Sequence, residues 1–179
     1  MNIRTKDNLV VIVAGIGMLL STLDTGIINV ALPFFKSYFE TTADIAAIAV
    51  TGYTISLAVF ILPFGLLSDK FGKLSFSYIG LIIFGLSSLL CGLSANVQML
   101  IMFRIFQGIG AAALQATSAS LITTLVSAEK SSSAIGVLGI MIGVGPVLGP
   151  SLGGLLLSLN SWRGIFWLNI PFVLLGLIC

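Results

Sequence analysis

Gly65-Leu-Leu-Ser-Asp-Lys-Phe-Gly-Lys73 is a charged, glycine-flanked stretch between two long apolar runs, about residues 43–67 and 74–95. Each run is near the roughly 20 residues that an α-helix needs to cross a hydrocarbon core about 30 Å thick. Asp69, Lys70 and Lys73 crowd three charges together in a chain of which only 8% is charged. Gly65 and Gly72 lack a Cβ, which allows a sharp turn and close approach by a neighbouring helix. Asp69 is expected in the turn itself, past one helix and before the next. A carboxylate there can accept hydrogen bonds from free N–H groups at a helix N-terminus, where the dipole favours it. Read from its residues, the stretch is the polar turn of a membrane hairpin.

Composition agrees with that reading. Hydrophobic residues make up 58% of the 179, and the mean hydropathy is +1.17. A soluble domain carries about a quarter of its residues as charges, so this is an integral membrane protein. Histidine is absent, and the two cysteines, Cys91 and Cys179, sit in apolar runs. That excludes most zinc sites, cysteine–histidine pairs and serine–histidine triads, and no metal site is expected. A net charge of +2 gives no reason to expect nucleic acid as a partner.

Further apolar runs cover about residues 9–32, 97–126, 132–157 and 164–179, which makes six with the pair above. The first is too long for the apolar part of a signal peptide, about 7–15 residues, so it is read as a retained helix. The last stops with no cap and no following loop, and is expected to be a truncated sixth helix. Short connections predict that consecutive helices are antiparallel neighbours. Lysine and arginine fix the orientation, because cytoplasmic loops carry the excess. With the N-terminus inside, Arg4, Lys6, Lys70, Lys73 and Lys130 are cytoplasmic, and Lys36 and Arg163 lie outside.

Two charges fall within the spans. In the first run Ser21, Thr22, Asp24, Thr25 and Asn29 occupy an arc of roughly 160° on a helix, opposite Leu23, Gly26, Ile27 and Val30. A charged aspartate at the centre of a membrane helix costs about 2.5–3.5 kcal/mol on insertion scales. An isolated carboxylate in that setting favours its protonated form, which makes a proton-binding group. The other reading is a structural Asp24, permanently paired or hydrogen-bonded.

The fourth run carries Arg104, Gln107, Gly108, Ala111, Gln115 and Ser118 within an arc of roughly 100°. An arginine stays charged, so Arg104 must face water, a carboxylate or carbonyls, or else snorkel to the interface. Asp24 is the one carboxylate at comparable depth. Gly108 and Ala111 are expected to leave room for water or substrate beside Arg104. Thr25, Asn29, Gln107 and Gln115 are the candidate lining of a substrate path. An intramembrane aspartyl protease would need a second buried carboxylate, so no enzyme is expected.

The fifth run is rich in small residues. Gly136, Gly139, Gly143, Pro146, Pro150, Gly153 and Gly154 share one side of a helix, with Gly145 and Gly149 interleaved. Such a groove lets another helix lie against the backbone. Pro146 and Pro150 favour a kink. Close packing alone is sufficient to explain it.

Several of these stretches carry a family resemblance. Gly65–Lys73 fits the pattern G-x-x-x-D-[RK]-x-G-[RK] at every specified position. It resembles the loop between the second and third helices of major facilitator superfamily transporters. Leu23-Asp-Thr-Gly-Ile-Ile-Asn-Val-Ala-Leu-Pro33 resembles the first-helix signature of drug:proton antiporters in the fourteen-helix branch. Arg104-Ile-Phe-Gln-Gly-Ile-Gly-Ala-Ala112 resembles the fourth-helix motif R-x-x-Q-G-x-G. Gly143-Val-Gly-Pro-Val-Leu-Gly-Pro-Ser-Leu-Gly-Gly154 is similar to the fifth-helix antiporter motif, with a second proline and later paired glycines. Trp162-Arg-Gly-Ile-Phe-Trp-Leu-Asn-Ile-Pro171 resembles the entry to the sixth helix.

The resemblance implies an all-α integral membrane fold: residues 1–179 as the six-helix N-terminal half of a transporter, completed by a C-terminal half or partner chain. It implies proton-coupled efflux of small amphipathic or cationic compounds such as drugs across the cell membrane. The proton gradient would supply the energy, with no bound cofactor. Asp24 would couple protons and substrate, and Arg104 would assist proton transfer. Gly65, Asp69, Lys70, Gly72 and Lys73 would form a cytoplasmic latch. Gly139, Gly143, Pro146, Gly149, Pro150, Gly153 and Gly154 would form the antiporter packing surface. The alternatives are a proton-coupled nutrient symporter and a non-transporting membrane subunit.

Overall fold

A computed structural model of the chain describes residues 3–159 and 161–179, with side chains from Asp7 onward. The side chains of Arg4 and Lys6, on which the orientation count partly rests, lie outside the described ones. The described residues form helices α1 (Ile3–Tyr38), α2 (Ala43–Phe71), α3 (Lys73–Gly92), α4 (Val97–Leu125), α5 (Ala128–Ser158), α6 (Trp162–Trp167) and α7 (Asn169–Ile178). The first five are long and apolar enough to cross a membrane.

Most of the long helices outrun their apolar stretches. With a rise of about 1.5 Å per residue, a helix of 30 residues exceeds the hydrocarbon core, so polar ends continue the helix into water. Thus α1 extends past Pro33 to Tyr38 rather than ending near residue 32, and α2 reaches Phe71 rather than 67. Side chains mark the starts of α2 and α4. Thr42 Oγ1 accepts from the Ile45 N–H at 3.3 Å, and Asn96 Oδ1 accepts from the Met99 N–H at 2.8 Å.

The sixth span is interrupted. Leu168 separates α6 from α7 while keeping helical angles, φ −55° and ψ −28°. Pro171, one turn further on, has no N–H to give the Trp167 carbonyl, which removes one rung of the ladder there.

Of the consecutive long helices, α3 and α4 pack extensively, as short loops predict, whereas the other consecutive pairs do not. α1 packs chiefly on α5 and α4, and α4 also on α2 and α3, whereas α1–α2, α2–α3 and α4–α5 meet only slightly. A short loop reverses direction, but lateral contact follows the faces where backbones can approach. Between apolar helices in lipid that means small residues. A Cβ built on Gly110 of α4 would stand 2.6 Å from the Phe84 N of α3. One on Gly108 would run into the Tyr53 carbonyl oxygen of α2.

The α1–α5 contact corrects the expected groove. Its α5 side is Gly145, Gly149 and Gly153, with a Cβ on Gly149 falling 2.7 Å from the Gly26 Cα of α1. The Pro146 Cα also reaches this seam. By contrast Gly136, Gly139, Gly143 and Gly154 have nothing within 4 Å of such a Cβ. The Pro150 side chain is exposed. The small residues occupy two faces of α5, and α1 takes the four-residue ladder because Thr22, Gly26 and Ile27 present a matching seam.

Three apolar clusters fill the interior. Phe35, Trp162 and Phe166 belong to the first, Leu81, Phe84 and Leu114 to the second, and Val10, Leu121 and Val126 to the third. The periphery is also apolar, with Leu62, Leu66, Val147 and Ile178 largely exposed. A lipid-facing surface accounts for that.

Candidate functional site

A buried ion pair joins two helices of the bundle. Asp24 of α1 and Arg104 of α4 are 2% and 0% exposed. Arg104 Nη1 donates to Asp24 Oδ2 and, at 2.7 Å, to Gln107 Oε1. Arg104 Nε donates to the Ala49 carbonyl of α2 at 3.2 Å, and the guanidinium lies over the Tyr53 ring, 4.2 Å from its centroid. The snorkelling reading of Arg104 is therefore wrong. Although only two turns into α4, the side chain points inward, where a carboxylate, a carbonyl and an aromatic face replace water.

Asp24 is not the isolated carboxylate that the sequence suggested. Its Oδ1 accepts from Gln107 Nε2 at 3.0 Å and from Asn169 Nδ2 of α7 at 3.2 Å. Gln107 Nε2 also donates to Ser88 Oγ of α3 at 2.8 Å, and Cys91 Sγ lies 3.8 Å from Gln107 Oε1. Gln107 thus accepts at one end and donates at the other, so its amide orientation is fixed. Asp24 thus accepts three side-chain hydrogen bonds, Oδ2 from Arg104 and Oδ1 from Gln107 and Asn169.

The room expected beside Arg104 is not there. Gly108 admits the α2 backbone instead of substrate, and Ala111 is buried. The four proposed path residues separate. Gln107 belongs to the buried cluster. Half-buried Gln115 donates to Ser21 Oγ at 2.7 Å, and Ser21 in turn meets Tyr53 Oη at 3.2 Å. Thr25 and Asn29 bond back to their own helix, at Ser21 O and Thr25 O, both 3.0 Å, with Asn29 exposed. Tyr53, Ser88 and Asn169 were not singled out from the sequence. Ser88 and Asn169 had one signal, polarity inside an apolar span. An aromatic in an apolar span gave none for Tyr53.

The charged stretch lies elsewhere and differs in detail. Asp69 and Lys70 sit in the last turn of α2, so the turn shrinks to Gly72, whose φ is +101°. Asp69 does not cap α3. It pairs with Lys73 Nζ at 3.1 Å, which offsets a carboxylate at the unfavourable end of α2. Lys73 Nζ also donates to Thr124 Oγ1 of α4 at 2.9 Å. These residues line a cavity of about 510 Å³ with Ser68, Ser75 and Leu125. Gly65 lies inside α2 with no close neighbour, so it permits no close approach here.

Residues 14–179 match the Major Facilitator Superfamily, and the chain belongs to this superfamily of membrane transporters. Riboflavin transporter RibZ of Clostridioides difficile (strain 630) is 37% identical over 163 residues, covering 91% of this chain and 36% of that protein. Multidrug resistance protein Stp of Mycobacterium tuberculosis (strain CDC 1551 / Oshkosh) is 37% identical over 164 residues, covering 91% of this chain and 30% of that one. The chain spans about a third of the length of the curated relatives it matches. The proton:xylose symporter XylE superposes with a TM-score of 0.83 at 19% identity, over 99% of this chain and 44% of XylE. At that identity the likeness is one of fold. The protein is a multi-pass membrane protein with the fold of one six-helix half of such a transporter.

Proposed function

We propose that this chain is the N-terminal half of a proton-coupled exporter of small amphipathic or cationic compounds in the cell membrane. The Asp24–Arg104 pair carries the reading. The desolvated carboxylate is bound by three side chains from two other helices, and intramembrane ionisable groups mark ion pathways. Asp24 takes the proton, Arg104 answers its change of charge, and Gln107 links the two. Substrate enters beside the half-buried Gln115 and exposed Asn29, between this half and a C-terminal six-helix half or partner chain. Transport follows from rocking one half against the other. No cofactor takes part; the proton gradient supplies the energy. The N-terminus and the Asp69–Lys73 latch face the cytoplasm.

The similarity to a multidrug resistance protein supports export. Equal identity to a riboflavin transporter favours a second reading, uptake of a nutrient by symport. The test is flux in vesicles containing the complete transporter under an imposed pH gradient, with ethidium and riboflavin as probes. Exchange of ethidium against protons supports export, and cotransport of riboflavin supports the second reading. Asp24→Asn keeps shape and cannot ionise, so gradient-driven flux is expected to stop. Full, pH-dependent flux in that variant overturns the role of Asp24, and flux of neither probe in the wild type counts against both readings.

A further inference from the structure

We propose that Asn169 is a positioning residue of the Asp24 site: it holds the carboxylate toward Arg104 and supplies the acceptor for the hydrogen when Asp24 is protonated. The word protonated rests on the function proposed above; the geometry does not. Asn169 is the first residue of α7, is 0% exposed, and enters the cluster at the interruption of the sixth span. Its Nδ2 donates to Asp24 Oδ1 at 3.2 Å and to Ser88 Oγ at 3.3 Å, so it ties α7 to both α1 and α3.

Its other end is open. Asn169 Oδ1 is buried and accepts from no group among the described residues. An orphaned buried acceptor is unfavourable, so packing does not explain the side chain; a leucine of similar size would fill the space without it. The other acceptors around Asp24 are engaged. Gln107 Oε1 accepts from Arg104 and faces Cys91, and Ser88 Oγ accepts from Gln107 and Asn169. A protonated carboxyl brings a hydrogen that needs an acceptor. Rotation of the Asn169 amide exchanges Nδ2 for Oδ1 and provides one. The same side chain then serves both states: a donor to the carboxylate, an acceptor from the carboxyl. In the second state Arg104 loses a charged partner and is left to Gln107, Ala49 O and Tyr53.

Three groups that carry or can carry charge face Asp24: Arg104 from α4, Tyr53 from α2 and Cys91 from α3. The titratable groups of α5 and α7 (Glu129, Lys130 and Cys179) sit at helix ends. A bond to a charged acceptor is about twice as strong as a neutral one. Removing Asn169 therefore weakens the carboxylate more than the carboxyl.

The test is infrared titration of the purified complete transporter, following the carboxyl C=O band that disappears in Asp24→Asn. This readout needs no substrate. In Asn169→Leu the band is expected to change frequency, and its midpoint to move by about one unit to higher pH. Ser88→Ala, a smaller change that removes one of the two bonds fixing the amide, is expected to move it part of the way. It also decides the matter if the leucine variant does not fold. A band and midpoint equal to wild type in every folded variant overturns the role of Asn169 while leaving Asp24 as the proton site. Absence of any Asp24 band throughout the titration overturns both.

Discussion

Arg104 Nη1 binds Asp24 Oδ2 across 80 residues of sequence, and neither side chain reaches solvent. Each charge is therefore the main compensation for the other. Breaking a buried pair by removing one partner costs about 3–5 kcal/mol, because the survivor is left unpaired. Arg104→Gln is expected to fall in that range. Adding Asp24→Asn to it should restore part of the loss, giving a coupling of about 0.5–3 kcal/mol between the sites. Unfolding of the complete, detergent-solubilised transporter measures all four corners of the cycle. Strict additivity would show that the two groups do not depend on one another.

Gly149 and Gly143 lie on different faces of α5 and should respond differently. A Cβ on Gly149 falls 2.7 Å from both the Gly26 Cα and the Gly26 carbonyl carbon, backbone atoms that cannot move aside without shifting a helix. Gly149→Ala is expected to lower stability by about 1–3 kcal/mol through overpacking. Gly143→Leu meets nothing within 4 Å and is expected to leave the thermal midpoint of the complete transporter unchanged. A lower midpoint for Gly143→Leu would mean that another surface packs on that face in the complete protein.

At the other end, Asp69→Asn removes the Lys73 ion pair. Asp69 is 64% exposed, so the loss of stability should stay near about 0.5 kcal/mol, as for other helix-surface pairs. If the pair is a latch between conformations, transport in vesicles drops nonetheless. Wild-type flux would reduce the stretch to a plain turn. Exposed Ser75, rather than buried Ser68, is the position at which to place a cysteine for topology. Ser75→Cys should resist an impermeant thiol reagent in intact cells and react after permeabilisation. Ready labelling from outside would reverse the proposed orientation.

Apolar runs of membrane length, the Asp69–Lys73 charge cluster, and Asp24 and Arg104 as intramembrane charges were all legible in the sequence. Each follows from a local quantity: span length from the thickness of hydrocarbon, candidate function from the cost of a charge inside it. The family motifs in the first, fourth and fifth spans are likewise contiguous. What the chain order does not encode is which helix lies beside which. Loop length sets direction only, so nothing local said that α1 would choose α5 and α4 over α2. That choice placed Gly145, Gly149 and Gly153 in the seam and left Gly139, Gly143 and Gly154 outside it. The packing of α4 on α2 likewise turned Gly108 from an opening into a contact. Tertiary structure alone decided that Asp24 and Arg104 meet, and that Tyr53, Ser88 and Asn169 join them. A polar residue on a helix shows its angle around that helix, but a hydrogen bond between helices depends on their separation, depth and rotation. Those are set by side-chain packing summed over the whole bundle.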